Sequence, residues 1–134
     1  MPALPPPAGP RRLDLQWCAD RLPGWTHYLA IKLGRGELFE VLNSIDFLRA
    51  RVLAPLIAIE AGVPPRAMRR LEETGSPRLV ALARTSCGYE PVALKVASRE
   101  AVRLAYELLD AVGPDVHRHH DAEACTLAFL DAVT

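Results

Sequence analysis

One lysine stands where a phosphate could be held. Over residues 25–33 the chain reads W-T-H-Y-L-A-I-K-L. At about 100° per residue, Trp25, Tyr28, Leu29 and Lys32 fall within roughly a third of a helix circumference. A cation on an aromatic and apolar stripe has two accounts. Either its stem packs on the rings while the amine reaches water, or the amine lies at the edge of a cleft and binds phosphate. Lys32 and Lys95 are the only lysines among 16 basic residues. Lys32 also precedes G-R-G-E at 34–37, where a ligand can approach the backbone closely.

Glu37, Glu40 and Ser44 lie within about 60° of one another on the following helix. Two glutamates near a helix N-terminus complement the dipole, which is a sufficient structural reason for both. The chemical alternative is a general base acting on a substrate hydroxyl. Asp46 is nearly opposite Glu37, and an Asp46–Arg49 ion pair accounts for it.

Other chemical constellations are weaker. Arg66, Arg69 and Arg70, with Arg78 nearby, form a basic patch without interleaved aromatics, so pairing with Glu72, Glu73 and solvent is expected rather than nucleic-acid binding. The segment 117–125 is rich in histidine, but no pair has the i, i+4 spacing of a helical zinc site. A loop leading into a helix, with Asp121 in the first turn, explains it. Arg21 and His27 have the separation of a ribonuclease R-x-H pair, but Pro23-Gly24 is expected to break the helix between them. Cys18, Cys87 and Cys125 lack CxxC spacing and read as reduced thiols in apolar surroundings, which implies a cytoplasmic protein.

The elements that must position these groups are helices. Stop signals divide the chain into predicted helices over 14–22, 26–33, 37–61, 65–73, 78–85, 91–112 and 121–132. Leu38, Val41, Leu42, Ile45, Leu48, Val52, Leu56 and Ile59 share one face of the longest, and Pro55 should kink it. Val96, Val102, Ala105, Leu108 and Leu109 are the expected core of 91–112. No stretch alternates with period two, so no sheet is expected. The fold class is all-α, an up-and-down helical bundle in which 37–61 and 91–112 pack antiparallel. The bundle occupies 13–134. The proline-dense residues 1–12 read as a disordered leader.

Composition agrees. A chain of 134 residues suits one compact domain. Sixteen acidic residues balance the 16 basic ones, so total charge suggests neither nucleic acid nor an anionic membrane and permits self-association. No stretch has the roughly 18 apolar residues of a membrane span.

The pattern aromatic-x-x-x-K-x-x-x-G-[DE] is met by Tyr28, Lys32, Gly36 and Glu37. Here the chain resembles the C-terminal helical domain of aminoglycoside-type nucleotidyltransferases. The resemblance covers about 14–133 and is most specific over 25–70. It implies that Lys32 and Tyr28 face nucleotide phosphates across an interdomain cleft. It also implies that Trp25, Glu37, Glu40 and Ser44 line the substrate side, with Glu37 and Glu40 as weak catalytic candidates. Relatives of such chains are sometimes labelled as an oxalate:formate antiporter, but transport lacks a membrane span. The family's G-S-x-x-x-G and D-x-D motifs are absent from the sequence, so two-metal chemistry has no ligands here. The expected role is a binding or assembly module, self-associating as a homodimer. The alternative is an accessory subunit that completes an adenylyl-transfer site in trans, with ATP and magnesium held in complex with a separate catalytic domain.

Overall fold

The computed structural model describes residues 13–134, and the leader expected over 1–12 lies outside them. Among the described residues there is no β-strand, only an isolated bridge between Arg66 and Met68. The all-helical bundle stands as expected.

Helix α1 spans Leu15–Gly34. Asp14 caps it by accepting from the Trp17 amide at 3.1 Å. Pro23 lies inside it, so the predicted break into two helices is corrected to one continuous helix. An interior proline costs about 3 kcal/mol. The buried stripe on both sides of it offsets that cost: Cys18, Ala19 and Leu22 before, Leu29, Ala30 and Leu33 after. The Thr26 hydroxyl donates to the carbonyl of Leu22 at 2.8 Å within this stripe.

Gly36 takes φ +72° and ends α1. The amide of Glu37 donates to the carbonyl of Lys32 at 2.9 Å, and that of Gly36 to Leu33 at 3.1 Å, the paired bonds of a Schellman cap. The chain then reverses into α2, Leu38–Leu48.

A π-helical turn, Arg49–Leu53, joins α2 to α3, Ala54–Ala61. The expected simple kink at Pro55 becomes this wider turn. The Ala54 amide donates to the carbonyl of Arg49, which leaves Pro55 in the first turn of α3, where no amide is needed. Gly62, at φ +75°, closes α3 as Gly36 closes α1.

Residues 62–90 form a long crossover. The predicted helix over 65–73 is replaced by turns and a short 3-10 segment, Leu71–Thr74. Ala67 and Arg70 have φ of +52° and +58°. Each left-handed residue of this kind costs on the order of 1–2 kcal/mol and prevents a regular helix. Helix α4, Leu79–Ala83, follows. Leu71 and Leu82 are the buried anchors of this crossover.

Helix α5, Pro91–Val112, begins where Glu90 accepts from the amides of Val92 and Ala93 at 3.0 and 2.7 Å. Its buried face runs from Leu94 through Ala101, Leu104 and Leu108. Val96 is 62% exposed, so it is not core; Ile59 is exposed too. Helix α6, His120–Ala132, completes the bundle.

The long helices do not pair as expected. Phe39, at the start of α2, packs against Tyr89 just ahead of α5, with centroids 4.6 Å apart. At the other end, Arg78 bonds both Glu60 of α3 and Glu107 of α5. The α2–α3 run and α5 therefore lie side by side in the same direction, not antiparallel. Parallel neighbours cannot be joined by a tight loop, which explains the length of the 62–90 crossover. Helices α1 and α6 also run together: Asp20 meets His119, His27 meets Phe129, and Gly34 lies beside Val133. No helix among the described residues is long and apolar enough to cross a membrane.

Candidate binding cleft between α1 and α2

The Schellman cap at Gly36 folds α2 back along α1. Tyr28 and Lys32 of α1 thereby meet Glu37 and Glu40. The Lys32 amine lies 3.1 Å from a Glu37 carboxylate oxygen and 5.2 Å from the centre of the Tyr28 ring. The Tyr28 hydroxyl donates to Glu40 at 2.6 Å. That bond, reinforced by partial burial and the negative charge of Glu40 and Glu37, holds the phenol above its ordinary pKa. The four residues singled out from the sequence thus form one connected group. The lysine side chain is 16% exposed, so its stem is packed and its head only partly wet.

Beside this group is a cleft of about 270 Å³. Trp25, Tyr28, Asn43, Ser44 and Phe47 line it, over a floor that includes Leu29 and Leu48. Three expected residues, Trp25, Tyr28 and Ser44, are therefore in the wall. Lys32, Glu37 and Glu40 sit at the edge rather than in the lining. Both carboxylates are engaged, Glu37 by Lys32 and Glu40 by Tyr28, and neither is presented to the cleft as a free base.

Sequence reasoning missed two aromatics. Phe47 packs edge-on against Trp25 at 5.3 Å, with the Arg51 guanidinium 5.9 Å from its ring. Trp17 meets Trp25 at 5.2 Å. Trp17 and Trp25 share a face only because α1 runs unbroken through Pro23. Phe47 was legible as the residue three beyond Ser44.

The remaining candidates resolve differently. Asp46 and Arg49 form the expected pair. Arg70 pairs with Glu73 at 3.0 Å, but Arg78 pairs with Glu60 and Glu107 rather than with Glu72 or Glu73. Arg21 and His27 lie on the same helix after all. Six residues put them about 120° apart around it, and His27 is stacked on Phe129 at 5.4 Å. The histidine segment ties the α5–α6 connection to α1. His119 meets Asp20 at 2.7 Å, and Gln16 bonds the backbone of His117 in both senses at 3.0 Å. Asp121 lies in the first turn of α6, as expected. Among the described residues no three His, Cys, Asp or Glu side chains are placed to hold a metal. Lys95 acts as a helix cap, donating to the carbonyls of Asp131 and Val133 at 2.7 and 2.6 Å.

Comparison with protein-family models, with curated proteins and with solved structures finds no match to this chain.

Proposed function

We propose that this domain is a non-catalytic binding and assembly module, resembling the C-terminal helical domain of aminoglycoside-type nucleotidyltransferases. One observation carries the assembly reading. Phe39, Tyr89, Val92 and Val96 make an apolar patch at the end of the bundle that also holds Lys32 and Glu37. Phe39 is 75% exposed and Val92 68%. Val92 and Val96 share one face of α5, four residues apart, and Phe39 packs against Tyr89 just ahead of that helix. Bulky side chains left this bare favour a covering surface. The reading is self-association of cytoplasmic copies through this patch. Sedimentation velocity over a concentration series is the test. A dimer that Val96→Glu and Phe39→Ser both dissociate supports the reading, and a monomer at every concentration overturns it.

A second reading rests on the Tyr28–Lys32–Glu37–Glu40 group. An ammonium has three donors, and Glu37 occupies one. Lys32, with donors to spare, is suited to hold a phosphate oxygen of ATP for a separate catalytic domain. Tyr28, whose one hydroxyl proton goes to Glu40, takes part by positioning the amine against its ring. Magnesium would be held by that domain, since Glu37 and Glu40 are committed to Lys32 and Tyr28. The chemistry supplied by the nucleotide is adenylyl transfer. Calorimetric titration with ATP and magnesium, with Lys32→Ala in parallel, tests this reading. Saturable binding lost in the variant supports it, and no heat from either protein removes it.

A further inference from the structure

The crossover after α3 holds a second feature, at the opposite end of the α2–α3 run from Lys32. A cleft of about 210 Å³ lies under residues 63–74. Ala58 and Leu71 contribute to an apolar floor, and Arg66, Arg69 and Arg70 stand around it. Three guanidinium groups within five residues concentrate positive charge at this cleft, where Glu73 is the one carboxylate in the lining. Only Arg70 is paired, to Glu73. Among the described residues neither Arg66 nor Arg69 has a carboxylate within ion-pair distance, and residues 1–12 contain no carboxylate side chain. Arginines 35, 49, 78, 84, 99, 103 and 118 are paired with carboxylates, while Arg51 lies over the Phe47 ring instead. What sets Arg66 and Arg69 apart from it is that they line one cleft together.

The backbone is bent to make this arrangement. Ala67 and Arg70 are the only non-glycine residues with positive φ among those described. Neither has the short polar side chain that eases this conformation. The two left-handed residues turn the chain twice, bringing Arg66, Arg69 and Arg70 to one cleft. Buried Leu71 pins the segment beneath them.

We propose that this cleft binds a phosphate group carried on a small apolar moiety. A guanidinium matches two phosphate oxygens at once, which a single ammonium cannot do. Arg66 and Arg69 take the phosphate, Arg70 adds charge at the rim, and the Ala58–Leu71 floor takes the apolar part. The site is independent of the Lys32 group and of the apolar patch.

The test is an amide NMR titration of the full chain with phenyl phosphate and with inorganic phosphate at constant ionic strength. Saturable shifts confined to residues 58–74, with phenyl phosphate the tighter ligand, are expected. Arg66→Gln combined with Arg69→Gln should weaken binding by about tenfold or more. Arg84→Gln, which changes an exposed arginine on α4's far end, should leave it unchanged. No saturation overturns the proposal. So do shifts spread over arginines elsewhere, an equal loss in Arg84→Gln, or no preference for the phenyl ester.

Discussion

The Lys32 amine lies 3.1 Å from a carboxylate oxygen of Glu37, five residues further along and across the turn made by Gly36. Sequence proximity alone does not bring them together. The left-handed Gly36 does, because the Schellman cap fixes both the end of α1 and the entry to α2.

Gly36→Ala is therefore expected to destabilise the domain by about 1 kcal/mol. A Cβ there meets nothing within 4 Å, so the cost is conformational and not a clash. Chemical denaturation measures it. A loss near zero would mean the turn has another low-energy form.

The Tyr28–Glu40 bond predicts a pH effect with a definite sign. The phenol's pKa is raised in the folded state, so the bond supports the fold below the ordinary tyrosine pKa. That support is lost as pH rises through the folded value. Glu40→Gln should lower the titration midpoint of Tyr28, read from tyrosinate absorbance in a protein with Tyr89 and Tyr106 changed to Phe. An unchanged midpoint would show that the bond does not persist in solution.

Arg78 joins three elements, bonding Glu60 through two nitrogens at 3.0 Å each and Glu107 at 3.3 Å. Its removal, as Arg78→Ala, should cost about 1 kcal/mol, since the groups remain partly wet. The guanidinium holds Glu60 below the usual carboxylate range. Its contribution is thus present above the ordinary glutamate pKa and lost as pH falls through the depressed value. Wild type should lose more stability than Arg78→Ala between about pH 5 and pH 3. Denaturation midpoints at several pH values would show parallel curves if this is wrong.

The three thiols should react in order of exposure. Cys125 is exposed, Cys87 half-buried and Cys18 buried. Burial, with the nearby charge of Asp14, pushes the Cys18 thiol up to about 11. A disulfide reagent applied to native protein should modify Cys125 first, and Cys18 only on unfolding. Fast labelling of Cys18 in Cys125→Ser would mean that α1 opens readily.

Leu104 is fully buried at the centre of α5. Leu104→Ala is expected to cost about 2–5 kcal/mol. Thermal or denaturant unfolding measures this. A loss below about 1 kcal/mol would contradict the packing described for α5.

What sequence determined by itself was local. Glu90-Pro91 opens α5 and Gly113 closes it because a cap is settled by neighbouring residues. Gly36 and Gly62 mark helix ends for the same reason. The cluster of Tyr28, Lys32, Glu37 and Glu40 was legible because a single turn separates its members. Tertiary structure decided the rest. Pro23 stays helical because burial on both sides outweighs its local penalty, and this continuity is what lets Trp17 join Trp25. The shared direction of α2–α3 and α5 follows from how 62–90 crosses the bundle, where helical periodicity carries no sign of direction. The arginine cleft depends on two left-handed residues, Ala67 and Arg70, that local propensity disfavours. Caps and turns are written in a few adjacent residues, whereas these outcomes depend on free energies contributed by residues far apart in the chain.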